Sequence, residues 1–165
     1  EEFFAALEAV AARGADFRLA VLGAAPRGYP AVFDELRSRF GERLVHWGHA
    51  DRFADYAAWL WRADVLPVTS YHDFFGMSVM EAIYCRTLPL LPRRMAYPEL
   101  LPADWHATAL YDSFDELVAR LQAWLTDPRP DPAPLAAHAT GYDWSVMAPR
   151  YDAALAALAA GEGSP

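Results

Sequence analysis

The sequence predicts an α/β fold: a parallel sheet with helices packed on both of its faces. Three observations point there. Helical and strand patterns alternate along the chain, and the strand segments are short apolar runs of the kind buried on both sides. The 165 residues are 55% hydrophobic and 22% charged, which suits one domain with a sizeable core.

Taken in order, Phe3, Leu7 and Val10 share one helical face, and residues 17–22 read as a short buried strand ending at Gly23. Residues 31–40 read as a helix and 43–47 as the next strand. Asp51 is placed as N-cap of a helix whose Phe53, Tyr56, Ala57 and Leu60 follow i, i+3, i+4, i+7 spacing. Residues 64–69 read as a central strand, against which Pro67 counts because proline cannot donate to a ladder. A helix follows over 76–85, then strand candidates at 87–91 and 108–111. Phe114, Leu117, Val118, Leu121 and Leu125 mark another amphipathic helix, and the Pro- and Asp-rich residues 126–134 read as a turn or linker. A last helix spans 144–158, with Met147, Tyr151, Leu155 and Leu158 on one side. Residues 1–160 form one domain in this reading, with 135–160 a C-terminal helical extension.

Charge and composition exclude several classes. The formal net charge is −8, and all fourteen basic residues are arginine, so the chain is a poor grip for a phosphate backbone. No apolar stretch is long enough for a membrane span, and the acidic start Glu1-Glu2 does not resemble a signal peptide. The single Cys85 forms no internal disulfide, fits a cytoplasmic setting, and reads as buried filler in an apolar helical run. The five histidines are dispersed, without metal-ligand spacing.

In open parallel sheets ligands bind beyond the carboxyl ends of the strands, which directs attention to the loops near Gly23, Gly48, 69–76 and 92–98. The richest of these is Thr69-Ser70-Tyr71-His72-Asp73-Phe74-Phe75-Gly76-Met77-Ser78-Val79-Met80-Glu81. It leaves a strand and enters a helix near Gly76. First-turn amides lack intrahelical acceptors and carry the positive end of the helix dipole, so Gly76, Met77 and Ser78 can offer N–H groups to a diphosphate. Glu81, one turn on, can accept from a pair of ribose hydroxyls, and Asp73 can accept from sugar hydroxyls. Each residue also has a plainer reading: Asp73 as helix cap, Gly76 as turn residue, Glu81 as solvated helix residue, His72 as a loop histidine, Trp47 as core. Arg27, Arg93 and Arg94 are local candidates for holding a diphosphate, or are solvated surface charges.

An acid, seven residues and a Glu, with Phe74-Phe75-Gly76 between, resemble the donor motif of retaining glycosyltransferases of the GT-B fold. The resemblance implies a Rossmann-like C-terminal half that binds a nucleotide sugar, with an N-terminal acceptor domain lying outside this chain. Carried over, Asp73 contacts the donor sugar as the catalytic-site acid, Gly76, Met77 and Ser78 meet sugar and diphosphate, and Glu81 holds the ribose. Beside these carried-over residues, the loops at Gly23 and Gly48 are expected to meet the nucleobase, and Arg27 is a local candidate for the same donor site. The segments Phe17-Arg18-Leu19-Ala20-Val21-Leu22-Gly23, His46-Trp47-Gly48, His72-Asp73-Phe74-Phe75-Gly76, Glu81-Ala82-Ile83-Tyr84-Cys85 and Tyr97-Pro98-Glu99 resemble the tRNA-queuosine α-mannosyltransferase family. That implies GDP-mannose as donor with no metal required, and tRNA as a partner met through the other half. Two positions depart from the pattern: Asp73 stands where Glu is usual, and Arg86 where a small residue or Gly is common. A transferase with a lipid or polysaccharide acceptor, and a non-catalytic nucleotide-binding or interaction domain of the same fold, remain competing expectations.

Overall fold

The computed structural model describes residues 2–23 and 32–161. The helices are α1 (Glu2–Ala12), α2 (Val32–Phe40), α3 (Phe53–Arg62), α4 (Met77–Tyr84), α5 (His106–Ala109), α6 (Phe114–Thr126), α7 (Ala133–Ala139) and α8 (Trp144–Ala159). The strands are β1 (Leu19–Leu22), β2 (Leu44–Gly48), β3 (Val65–Pro67), β4 (Leu88–Pro92) and β5 (Leu110–Tyr111). All pairings among the described residues are parallel. They form two ladders, β1–β2 and β3–β4–β5. Residues of β1 and β3 face one another across a cleft of about 420 Å³.

β4 is buried along its whole length, with α4 and α6 both packed on it. α1 packs with α6 and α7 with α4, giving two helical layers around the parallel strands. The core is continuous from Phe4, Leu7 and Val10 of α1 through Leu88, Leu90 and Leu91 to Leu117 and Leu121 of α6. Leu135 and Ala139 of α7 join it, so this helix is part of the packed body. α8 is different: it buries no residue, and Tyr151, Leu155 and Leu158 are exposed. Among the described residues no helix is long and apolar enough to cross a membrane.

The prolines explain where the ladders stop. Leu88 N–H donates to Asp64 O and Val68 N–H to Leu90 O, both at 2.9 Å. Even-numbered residues of β3 therefore face β4, and Pro67 faces the other way, where no donor is demanded of it. β3 is thus the edge of its ladder, not the central strand expected from its apolar content. Pro92 makes the opposite demand. In this register its missing N–H would have met Val68 O. The Tyr111 hydroxyl donates there instead, at 2.6 Å, while Arg93 N–H donates to Tyr111 O at 2.8 Å and continues the ladder. Burial, first of all, holds the Tyr111 hydroxyl well above the usual tyrosine pKa and so keeps it a donor.

A second difference concerns the start of α3. Asp51 does not cap it: the N-cap is Arg52, without a side-chain cap bond, and the Arg52 guanidinium pairs instead with Asp55 at 2.7 and 2.8 Å.

The end of α4 shows what position 86 requires. Arg86 N–H donates to Ile83 O and Thr87 N–H to Ala82 O, both at 2.9 Å, and Arg86 sits at φ +65°. This is a Schellman close whose left-handed residue favours glycine. The left-handed conformation costs a side-chain-bearing residue about 1–2 kcal/mol, whereas a cation at a helix C-terminus returns roughly 0.3–1. Arg86→Gly is accordingly expected to raise stability by about 1 kcal/mol in urea unfolding; an unchanged or lower midpoint would contradict this reading.

Candidate functional site

The loop between β3 and α4 is held by groups from three directions. Asp73 Oδ1 accepts the amides of Gly76 at 2.7 Å and Phe75 at 3.2 Å, and Asp73 Oδ2 accepts the Tyr97 hydroxyl at 3.3 Å. Tyr97 is fully buried, and burial together with the neighbouring Asp73 charge raises its hydroxyl pKa, so it stays protonated and donates. Arg94 lies on the far side. Its guanidinium donates to Thr69 O at 3.0 Å and Ser70 O at 3.2 Å, and stacks 3.9 Å from the Tyr71 ring centre. Arg93 is engaged with Asp112. His72 is exposed.

Gly76 turns the loop into the helix at φ +61°, ψ +34°. A Cβ there would lie 2.3 Å from Leu100 Cδ1, so the backbone conformation favours glycine and any side chain would also force Leu100 to shift. Its amide is committed to Asp73. Of the three amides expected to face a diphosphate, those of Met77 and Ser78 are the ones without an acceptor among the described residues. They occupy the first turn of α4, where the helix dipole is positive.

Glu81 lies one turn further along, half-buried. Its Oε2 accepts the Tyr56 hydroxyl at 2.7 Å, leaving Oε1 open. Burial, and then this bond, hold Tyr56 far above the usual tyrosine pKa. Tyr56 belongs to the first turns of α3, which leaves the carboxyl end of β2, just as α4 leaves that of β3. The bridge therefore places the two helix N-termini at the same edge of the molecule. Gly23 and Gly48 lie at that edge too, and they meet each other: Gly23 N–H donates to Gly48 O at 3.0 Å. Arg27 lies outside the described residues. Trp47 packs against the core, its ring 6.0 Å from Phe4. Among the described residues no three His, Cys, Asp or Glu side chains are grouped so as to hold a metal ion.

Two parts of this arrangement are not visible in the sequence. Tyr56 falls on the apolar face of its helix, and nothing local marks a hydroxyl whose partner is 25 residues away. Tyr97 stands in a segment singled out above, but its bond to Asp73 spans 24 residues.

A helix start with two unpartnered amides, flanked by two carboxylates, agrees with what the chain resembles in sequence. Residues 2–140 match the family model described as "Glycosyl transferase-like". The chain belongs to that family. Among curated proteins it is 30% identical over 117 residues to the tRNA-queuosine alpha-mannosyltransferase of Drosophila melanogaster. The match covers 71% of this chain but 30% of that relative's length. No solved structure matches the chain significantly. For a glycosyl transferase-like domain, the α/β architecture with parallel strands between helical layers is the expected frame.

Proposed function

We propose that this glycosyl transferase-like domain binds the nucleotide-sugar donor of a retaining enzyme, and that the enzyme moves mannose from GDP-mannose to queuosine in tRNA. The observation that carries the donor site is the N-terminus of α4. Two free amides, of Met77 and Ser78, sit between Asp73 and Glu81. A departing nucleoside diphosphate gains negative charge in the transition state, and fixed amide dipoles aimed at it stabilise that charge without reorganising. Glu81 Oε1 takes the ribose hydroxyls. Asp73 Oδ2, bonded only to Tyr97 at 3.3 Å, keeps acceptor capacity for a sugar hydroxyl.

The choice of mannose and queuosine rests on likeness to the fly protein, a tRNA-queuosine alpha-mannosyltransferase, and that of guanine on the family resemblance of the sequence. With a net charge of −8 this domain does not hold the RNA backbone. The acceptor is met by the other half of a two-domain enzyme, and this chain alone binds donor weakly without transferring sugar.

Calorimetric and thermal-shift titration with GDP, GDP-mannose and UDP-sugars tests the reading. GDP compounds are expected to stabilise the chain selectively. Glu81→Ala is expected to weaken them by roughly 10- to 100-fold, the cost of losing hydrogen bonds to a charged acceptor. A preference for UDP would keep the donor site and reject queuosine transfer. Binding that is indifferent to Glu81→Ala would reject the site itself.

A further inference from the structure

The first turns of α3 complete the donor site in a way that neither the family match nor the two-acid motif describes. We propose that Tyr56 is the positioning residue for Glu81, and that Phe53, one turn nearer the strand-end crevice, is the surface on which the donor's nucleobase stacks. This rests on the donor-binding reading above.

Three observations converge. The Tyr56 hydroxyl donates to Glu81 Oε2 at 2.7 Å, which fixes the carboxylate and leaves Oε1 as its acceptor. Without that bond Glu81, an unbranched side chain, would spread over several rotamers and lose its aim at a vicinal diol. Next, Phe53 should be buried by its spacing with Tyr56, Ala57 and Leu60, yet it is 76% exposed, whereas Leu60 is 8% exposed. A large apolar ring at the first position of a helix, open to water at the strand-end edge of the molecule, is a surface without its partner. Finally, the Phe53 and Tyr56 ring centres are 6.1 Å apart. A nucleoside whose ribose reaches Glu81, with its diphosphate on the α4 amides, therefore has Phe53 within reach of its base through the Tyr56 that bridges the two helices. The loop from Gly48 to Arg52 leads straight into Phe53, so the platform sits where a strand-end site places a ligand. Stacking on a phenyl face is tolerant of base identity, so Phe53 supplies affinity rather than a choice between guanine and uracil.

The test separates the two roles by ligand. Calorimetry uses whichever of GDP or UDP the wild-type chain binds more tightly, and the 2′,3′-dideoxy form of the same nucleotide. Tyr56→Phe is expected to weaken the ribonucleotide about tenfold and leave the dideoxy form unchanged, the same pattern as Glu81→Ala. The unchanged dideoxy affinity also reports that the variant is folded. Phe53→Ala is expected to weaken both forms equally, about tenfold. Equal loss of both ligands in Tyr56→Phe, or no loss, would overturn the positioning role. Unaltered binding by Phe53→Ala would overturn the platform. A wild-type chain that binds neither nucleotide would reject the donor-site reading itself, a result distinct from failure of these two residues.

Discussion

Gly76→Ala is expected to destabilise the chain by about 2–5 kcal/mol and, on the proposed donor-site reading, to abolish its response to nucleoside diphosphates. Two costs add. An alanine held at φ +61° is strained by about 1–2 kcal/mol. Its Cβ would also lie 2.3 Å from Leu100 Cδ1. Leu100 is only 8% exposed and belongs to the core, so it moves only by disturbing its neighbours, at a typical overpacking cost of about 1–3 kcal/mol. If the backbone escapes by leaving the left-handed region, the Gly76 amide swings away from Asp73 and the first turn of α4 loses its aim. Urea unfolding measures the first effect and nucleotide titration the second. A variant with wild-type stability and binding would mean that the tight turn is dispensable.

Asp73→Ala is expected to cost about 2–3 kcal/mol. It unties two amides from a carboxylate and leaves the fully buried Tyr97 without its Asp73 partner. Hydrogen bonds to charged groups contribute roughly 1.5–3 kcal/mol each, discounted here because the Phe75 amide lies at an exposed position that water can reach. Asp73 does not cap α4, whose N-cap is Gly76 without a side-chain bond; its two remaining readings, as loop tie and as sugar contact, separate in Asp73→Asn, which keeps an oxygen for the two amides. Unfolding should recover most of the lost stability. If Asp73 also meets the donor sugar, any advantage of GDP-mannose over GDP should stay lost in this variant. Full recovery of that advantage would assign Asp73 to the loop alone. The effects of Asp73 and Gly76 will not add in a double variant, because the two share a hydrogen bond.

Much of the fold was legible because its signals are local. The buried strands read as short apolar runs, α1 and α6 as 3.6-residue periodicities, and Cys85 as buried filler. Helix α7 was harder to see: Pro and Asp dominate the approach to it, and Leu135 and Ala139 show their purpose only when α4 is beside them. The face of α8 was readable as an apolar stripe, but burial does not follow from a stripe, and here Tyr151, Leu155 and Leu158 stay exposed. At position 86 a sequence departure acquired a cause, since the left-handed close of α4 is what makes a glycine natural there.

The sequence by itself determined the class of the fold, the loop–helix segment 69–81 and the residue types in it, because periodicity, a glycine before a helix and spaced carboxylates are all written over short distances. Only the tertiary structure decided how those residues are used. It set Tyr97 behind Asp73 and Tyr56 behind Glu81, made β3 an edge and left Phe53 in the open. Each of these depends on contacts between segments far apart in the chain, where a hydroxyl finds its carboxylate only after two helices have packed side by side. No local pattern encodes such a meeting, because it exists only where the fold has brought both partners together.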